Sequence, residues 1–190
     1  MRLALLALLA VAAPLAAQTP PGTVLTPEPS PGVRTPEALA RLPTERYGVE
    51  WGMTRADVVA TVGRPPDADE PQGITYVGRR SAGQVVYIFQ ADATGTDRLT
   101  AVVEASPAMV HLRDALAEMD QYKAALIRRW GAPRVEDSPR PGTSPPVTDS
   151  VWEAEGDVRA VELTLDYAVS ESGTASPFFY IRTVGPEPTP

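Results

Sequence analysis

Two segments of the chain end in the same punctuation. DVVATVGRPP, residues 57–66, runs an apolar-periodic stretch into Gly63 and Pro65; YKAALIRRWGAP, residues 122–133, does the same with Gly131 and Pro133. Glycine adopts the left-handed backbone that closes a helix, and proline two residues on has no N–H to continue it. Aligning Gly131 on Gly63 sets Leu126 on Val58, Ile127 on Val59, Trp130 on Val62 and Pro133 on Pro65. The chain therefore reads as two helix-led units rather than one long run of unrelated elements.

The first unit begins near Tyr47. Thr54 is a good N-cap, Asp57 stands three residues on, and Met53 and Val58 occupy the positions of a hydrophobic staple, so the sequence predicts a helix over Thr54–Val62. Three strand-like runs follow: Ile74–Arg79, Gln84–Ala91 and Leu99–Ala105, separated by the turn-forming Ser81-Ala82-Gly83 and the stretch from Asp92 to Asp97. A longer helix is expected to start at Ser106-Pro107 and run to Trp130, with Leu112, Leu116, Met119, Leu126 and Trp130 on its inner side. After a Pro-, Ser- and Thr-rich loop from Arg134 to Asp149, strands are expected at Val151–Ala154, Arg159–Val169 and Phe178–Val184. In the middle one Val161, Leu163, Leu165 and Tyr167 alternate with Glu162, Thr164 and Asp166, the mark of a strand with one buried face in an antiparallel sheet. The expected fold is α+β: a tandem α-β-β-β repeat, residues 47–105 and 106–184, forming an antiparallel sheet with two helices packed on one face.

The flanks differ from this core. MRLALLALLAVAAPLAAQ has a positive Arg2, a short apolar core and small residues to Ala17, the layout of a secretory signal peptide cut after residue 17. The apolar run is shorter than the roughly 20 residues a membrane span needs. With no Cys to carry a lipid, the expected location is exported, periplasmic or extracellular, soluble and not lipid-anchored. Residues 18–46 are dense in Pro with Thr, Ser and Glu between, which favours extended conformations over packing and reads as a linker; residues 185–190 read as a loose tail, and a brief helical turn is conceivable at 36–41.

Composition narrows the chemistry. Cys 0 removes disulfides, thiolate nucleophiles and zinc-thiolate sites. A net charge of −7 is unsuited to nucleic acid or anionic membrane, which are bound by clustered Lys and Arg.

The order helix, Gly-x-Pro, meandering strands, twice over and behind a signal peptide, resembles the beta-lactamase inhibitor protein fold. The segment GVEWGMTRADVVATV, residues 48–62, is similar to the opening helix of small exported bacterial proteins of the SmpA/OmlA type, which carry one such unit. The resemblance covers about residues 47–184 through Trp51-Gly52, Gly63-Arg64-Pro65 and Gly131-Ala132-Pro133. It implies a curved antiparallel sheet with both helices on one face, and binding through the sheet face or loops. The inhibitor's disulfide cysteines and the lipoproteins' lipidated Cys are both missing, so neither activity carries over residue by residue.

No cluster reaches an active-site pattern. His111 is the only His, there is no Gly-x-Ser-x-Gly elbow, and Gly78–Gly83 reads as a turn. Asp92 and Asp97 offer too few ligands for calcium, which takes six to eight oxygens. No catalytic residue, cofactor or metal ligand is expected, and the chain reads as a non-enzyme. Arg79-Arg80 and Arg128-Arg129 are doublets, of which Arg128 or Arg129 is expected to pair with nearby acids. Tyr76, Tyr87, Phe178 and Tyr180 lie in strands, where aromatics on an open face form binding surfaces. They are the candidate partner-binding residues, the partner being an envelope or secreted protein. Trp51 and Trp130, at helix ends beside Gly, read as core anchors. The alternatives are an inhibitor of a secreted or periplasmic enzyme and an enzyme with an unrecognised carboxylate site.

Overall fold

The computed structural model describes residues 41, 43–78, 83–139, 147–153 and 158–187, all within the unit Pro36–Pro190. The signal-like segment, most of the Pro-rich stretch and Arg79-Arg80 lie outside them. Among these described residues three helices and eight strands follow in order: α1 (Pro43–Tyr47), α2 (Arg55–Val62), β1 (Ala68–Glu70), β2 (Gly73–Val77), β3 (Gln84–Ala91), β4 (Asp97–Ala105), α3 (Leu112–Trp130), β5 (Val135–Pro139), β6 (Thr148–Glu153), β7 (Ala160–Val169) and β8 (Ala175–Val184). The strands form one antiparallel sheet in the order β1-β2-β3-β4-β8-β7-β6-β5. The fold is α+β, as the sequence predicts, but four strands follow each of α2 and α3 where the expected α-β-β-β unit has three, because the short β1 and β5 are added at the two sheet edges.

Each half is a meander, and the last strands of the two halves, β4 and β8, pair with one another. The halves also share a turn. Between β3 and β4, Asp92 N–H donates to Thr96 O and Gly95 N–H to Asp92 O, both at 2.9 Å. Between β7 and β8, Ser170 N–H donates to Thr174 O and Gly173 N–H to Ser170 O, again at 2.9 Å. Gly95 and Gly173 both hold a φ near +80°, and the side chains of Asp92 and Ser170 each accept from the N–H four residues on.

α2 starts as its sequence dictates. Asp57 N–H donates to Thr54 Oγ1 at 3.3 Å and Thr54 N–H to Asp57 Oδ2 at 3.0 Å, a reciprocal capping box, and Gly63 closes the helix in the left-handed region. Arg55 and Arg64 tie this helix to the sheet edge. Arg55 bonds Asp69 and the carbonyls of Glu70 and Pro71 and lies over the Phe89 ring, while Arg64 bonds Asp67 and the Val77 carbonyl and lies over Tyr76. Thr54→Ala leaves the Asp57 N–H without its acceptor and is expected to cost about 1 kcal/mol, read as a lower urea midpoint with an unchanged slope.

Two apolar clusters make the core. One joins Val58 of α2 to Ile74, Tyr76, Val85, Tyr87, Phe89, Leu99 and Val102. The other joins Ala115, Met119, Tyr122, Ala125 and Leu126 of α3 to Trp152, Val161, Leu163, Leu165, Phe179 and Ile181. Register puts all these strand residues on one face: Ile74 lies opposite Tyr87, Tyr87 opposite Val102, Val102 opposite Thr183, Thr183 opposite Val161. Trp51 packs against both clusters and so spans the division between the halves.

Four sequence expectations need correction. α3 begins at Leu112, not at Ser106-Pro107, because Ser106 N–H and Met109 N–H donate to Phe179 O and Pro177 O, which draws that segment along β8 as extended chain. Its buried side is Ala115, Met119, Tyr122, Ala125 and Leu126, while Leu112 and Leu116 are exposed; small residues let the helix axis approach the sheet. The stretch from Arg134 carries a strand, β5. The folded body also reaches further at both ends: α1 binds the domain through Glu45, and Gly185 N–H donates to Thr100 O.

Candidate functional site

The candidate site follows from the sheet face opposite the one that the described helices cover, called the open face below. On the side away from the two clusters, register lines up rows that run across the strands. One row is Thr75, Val86, Val103, Arg182, Glu162 and Val151; the next is Gln84, Ala105, Tyr180, Thr164 and Asp149; a third is Ile88, Ala101, Val184 and Ala160. Val86, Ile88, Val103, Tyr180 and Val184 are partly exposed there. Arg182 donates to Glu162 at 3.1 Å within the first row.

The four aromatic candidates separate between the faces. Tyr76 and Tyr87 are 4% and 1% exposed, with edge-to-face rings 5.7 Å apart, in the helix-covered core. Burial pushes the Tyr87 phenol well above its ordinary pKa. They pack rather than present a surface, because their parity in β2 and β3 is that of Ile74 and Val85. Phe178 and Tyr180 lie on the open face, rings 6.2 Å apart, Tyr180 partly exposed and Phe178 4% exposed. Phe178 faces Asp166 across the β7–β8 ladder and Tyr180 faces Thr164.

The outward side of β7 departs from simple alternation. Thr164 and Asp166 are polar, as expected of an outer face, yet only 1% and 6% exposed. Thr164 Oγ1 donates to Asp149 Oδ1 at 2.8 Å. Asp166 accepts from Tyr167 N–H at 2.7 Å, the neighbouring residue. Their burial is the signal that sequence alone misses, since an Asp or Thr at an outward position ordinarily reads as solvated.

Two grooves flank Trp51. One, of about 790 Å³, is lined by Glu45, Val49, Glu50, Arg129, Trp130 and Val158 among others. Arg129 makes a two-pronged pair with Glu45 at 2.6 and 2.7 Å and lies over the Trp130 ring, so the expected pairing of one member of the Arg128-Arg129 doublet occurs here. The Glu45 carboxylate holds the Arg129 guanidinium above its ordinary pKa. The other groove, of about 390 Å³, includes Asp92, Arg98 and Glu187.

Asp92 is committed to its turn. It accepts from Thr94 Oγ1 and N–H, from Thr96 N–H and from Arg98 Nε, and the Thr94 hydroxyl and Arg98 hold its carboxyl well below the usual carboxylate range. Arg98 occupies the quarter a cation would need, and Asp97 turns to Arg55 at 3.5 Å. Among the described residues no group of three or more His, Cys, Asp and Glu could hold a metal ion. His111 stands exposed at the start of α3 and makes no capping bond. Among the described residues no helix is long and apolar enough to cross a membrane. Comparison of the chain with protein-family models, with curated proteins and with solved structures returns no match.

Proposed function

We propose that this chain is an exported, non-enzymatic protein-binding module of the bacterial cell envelope, made of two copies of one α-β unit. It engages an envelope or secreted protein through the sheet face that its helices leave open. The observation that carries the reading is the run of partly exposed Val86, Ile88, Val103 and Tyr180 on adjacent strands of that face. Interfaces draw on aromatic anchors set among aliphatic residues and a few polar groups, and Tyr180 beside the Glu162–Arg182 pair has that composition. Export rests on the signal-like residues 1–17, and duplication on the matched helix ends and matched turns.

The test is affinity capture from envelope and secreted fractions with three forms of the chain. Tyr180→Ser and Val103→Ser alter the open sheet face; Leu116→Ser alters an exposed position of α3 and serves as control. A single protein retained by the parent and by Leu116→Ser, and lost from both sheet variants, is the expected result. Retention that ignores the sheet variants, or no retention by the folded parent, overturns the reading. Should the captured protein be an enzyme, its turnover with and without the chain decides whether the module is an inhibitor, as the family resemblance implies.

A further inference from the structure

A surface helix ordinarily buries one apolar stripe and turns polar residues outward. α3 carries a second stripe. Leu112, Leu116 and Ile127 are 43%, 39% and 38% exposed, and Asp120 and Lys123 stand between them at the same helical spacing. None of the three aliphatic residues belongs to the cluster beneath the helix, which α3 enters through Ala115, Met119, Tyr122, Ala125 and Leu126.

The spacing of this stripe reads the same in both directions. Positions 112, 116 and 120 lie as far before the point between Gln121 and Tyr122 as positions 131, 127 and 123 lie after it. A second α3 laid antiparallel about that point therefore sets Leu116 against Ile127 of the second copy, and Asp120 against its Lys123. Leu112 then falls opposite Gly131, where a Cβ would meet nothing within 4 Å, so that place is open to a neighbouring side chain.

Charge divides along the helix in the same sense. Residues 112–121 hold Asp114, Glu118 and Asp120 against Arg113 alone, while residues 122–130 hold Lys123, Arg128 and Arg129 and no acid. An antiparallel companion lays the acidic half of each helix on the basic half of the other, whereas a parallel one lays like on like. The match belongs to the halves as wholes and does not depend on any one pair. A twofold contact needs a patch that is complementary to itself, and this stripe has that property in both its apolar spacing and its charge. A foreign helix would require the apolar spacing alone.

We propose that the outer side of α3 is a self-association surface, on which a second copy of this chain docks with its α3 antiparallel, about a twofold axis passing between Gln121 and Tyr122. The contact lies on the helix side of the sheet, so a pair of chains keeps both open faces free. It stands or falls apart from the sheet-face reading. A few aliphatic residues on one helix make a small interface, so the pair is expected to exchange with single chains at micromolar concentrations.

Because the chain has Cys 0, introduced thiols report the contact directly. Leu116→Cys and Ile127→Cys are prepared separately, and both positions are exposed, so neither change is expected to disturb folding. The expected result is a disulfide-linked pair when the two variants are mixed and mildly oxidised, and little linkage when either is oxidised alone. In the antiparallel register the two copies of position 116 stand about 16 Å apart along the helix, beyond the reach of a disulfide. Linkage of each variant to itself as readily as to the other is the mark of random collision and overturns the interface. In sedimentation equilibrium the mass of the unsubstituted chain is expected to rise with concentration toward that of two copies, and Leu116→Glu to weaken the association at least tenfold. A chain that stays single up to about 1 mM, or a pair that Leu116→Glu leaves intact, overturns it as well.

Discussion

Trp51→Ala is expected to lower the unfolding free energy by about 3 kcal/mol, at the lower end of the range for a large aromatic since this ring is only partly buried. Its indole touches both apolar clusters, the one under α2 and the one under α3. The segment around it is fixed by backbone bonds: Gly52 N–H to Leu99 O at 3.1 Å and Leu99 N–H to Met53 O at 2.9 Å. These bonds hold the chain in place after truncation, so the gap cannot close by collapse, and the lost contact leaves a void between the halves. Urea unfolding followed by tryptophan-independent circular dichroism checks the size. A loss under about 1 kcal/mol would place Trp51 among ordinary surface residues and refute its role as the bridge. Trp51→Phe should recover part of the loss, since it restores most of the apolar volume.

The second large effect is at Gly185. A Cβ there would stand 2.5 Å from Trp51 Cε3 and 3.0 Å from Cε2, inside the van der Waals envelope of a rigid ring. Gly185 cannot retreat, because its N–H is bonded to Thr100 O at 2.8 Å. Gly185→Ala is therefore expected to cost about 2 kcal/mol, the scale of overpacking. The decisive measurement is a double-mutant cycle. With Trp51 already alanine, the added methyl enters the space the indole vacated, and the cost of Gly185→Ala should fall close to zero. Simple additivity of the two losses would show that the methyl collides with something other than the ring. Together the pair tests whether a residue that reads as tail is part of the packed body.

Much of this core could be read in advance because the signals were local. Thr54 and Asp57 form their reciprocal bonds within a single turn, and the β7 alternation of Val161, Leu163 and Leu165 needs only a period of two. What escaped were features set by distant contacts. Ser106-Pro107 has the chemistry of a helix start, but the β8 backbone claims its hydrogen bonds. Ala115 and Ala125 carry little hydrophobic weight in sequence, yet both are fully buried in the cluster under α3, and Leu112 and Leu116 are exposed. β1 and β5 are short and lack alternation, so nothing local marks them.

The candidate site shows the same division. Alternation fixes which strand residues share a face but not which face the helix covers. Tyr76 and Tyr87 therefore could not be distinguished from Phe178 and Tyr180 until register was known. Asp166 lay in plain view as an outward polar residue, and its burial is visible only in the folded chain.

An open sheet has two borders, and both are poor templates for another strand. β1 offers three exposed residues, two of them the acids Asp69 and Glu70, and Arg55 already claims Asp69 and the Glu70 carbonyl. β5 breaks register with β6 between Val135 and Ser138 and ends in Pro139, which has no N–H to donate. Such margins resist edge-to-edge stacking into fibrils. Any protein docking on this sheet would therefore be selected by side chains rather than by backbone bonds at its margins.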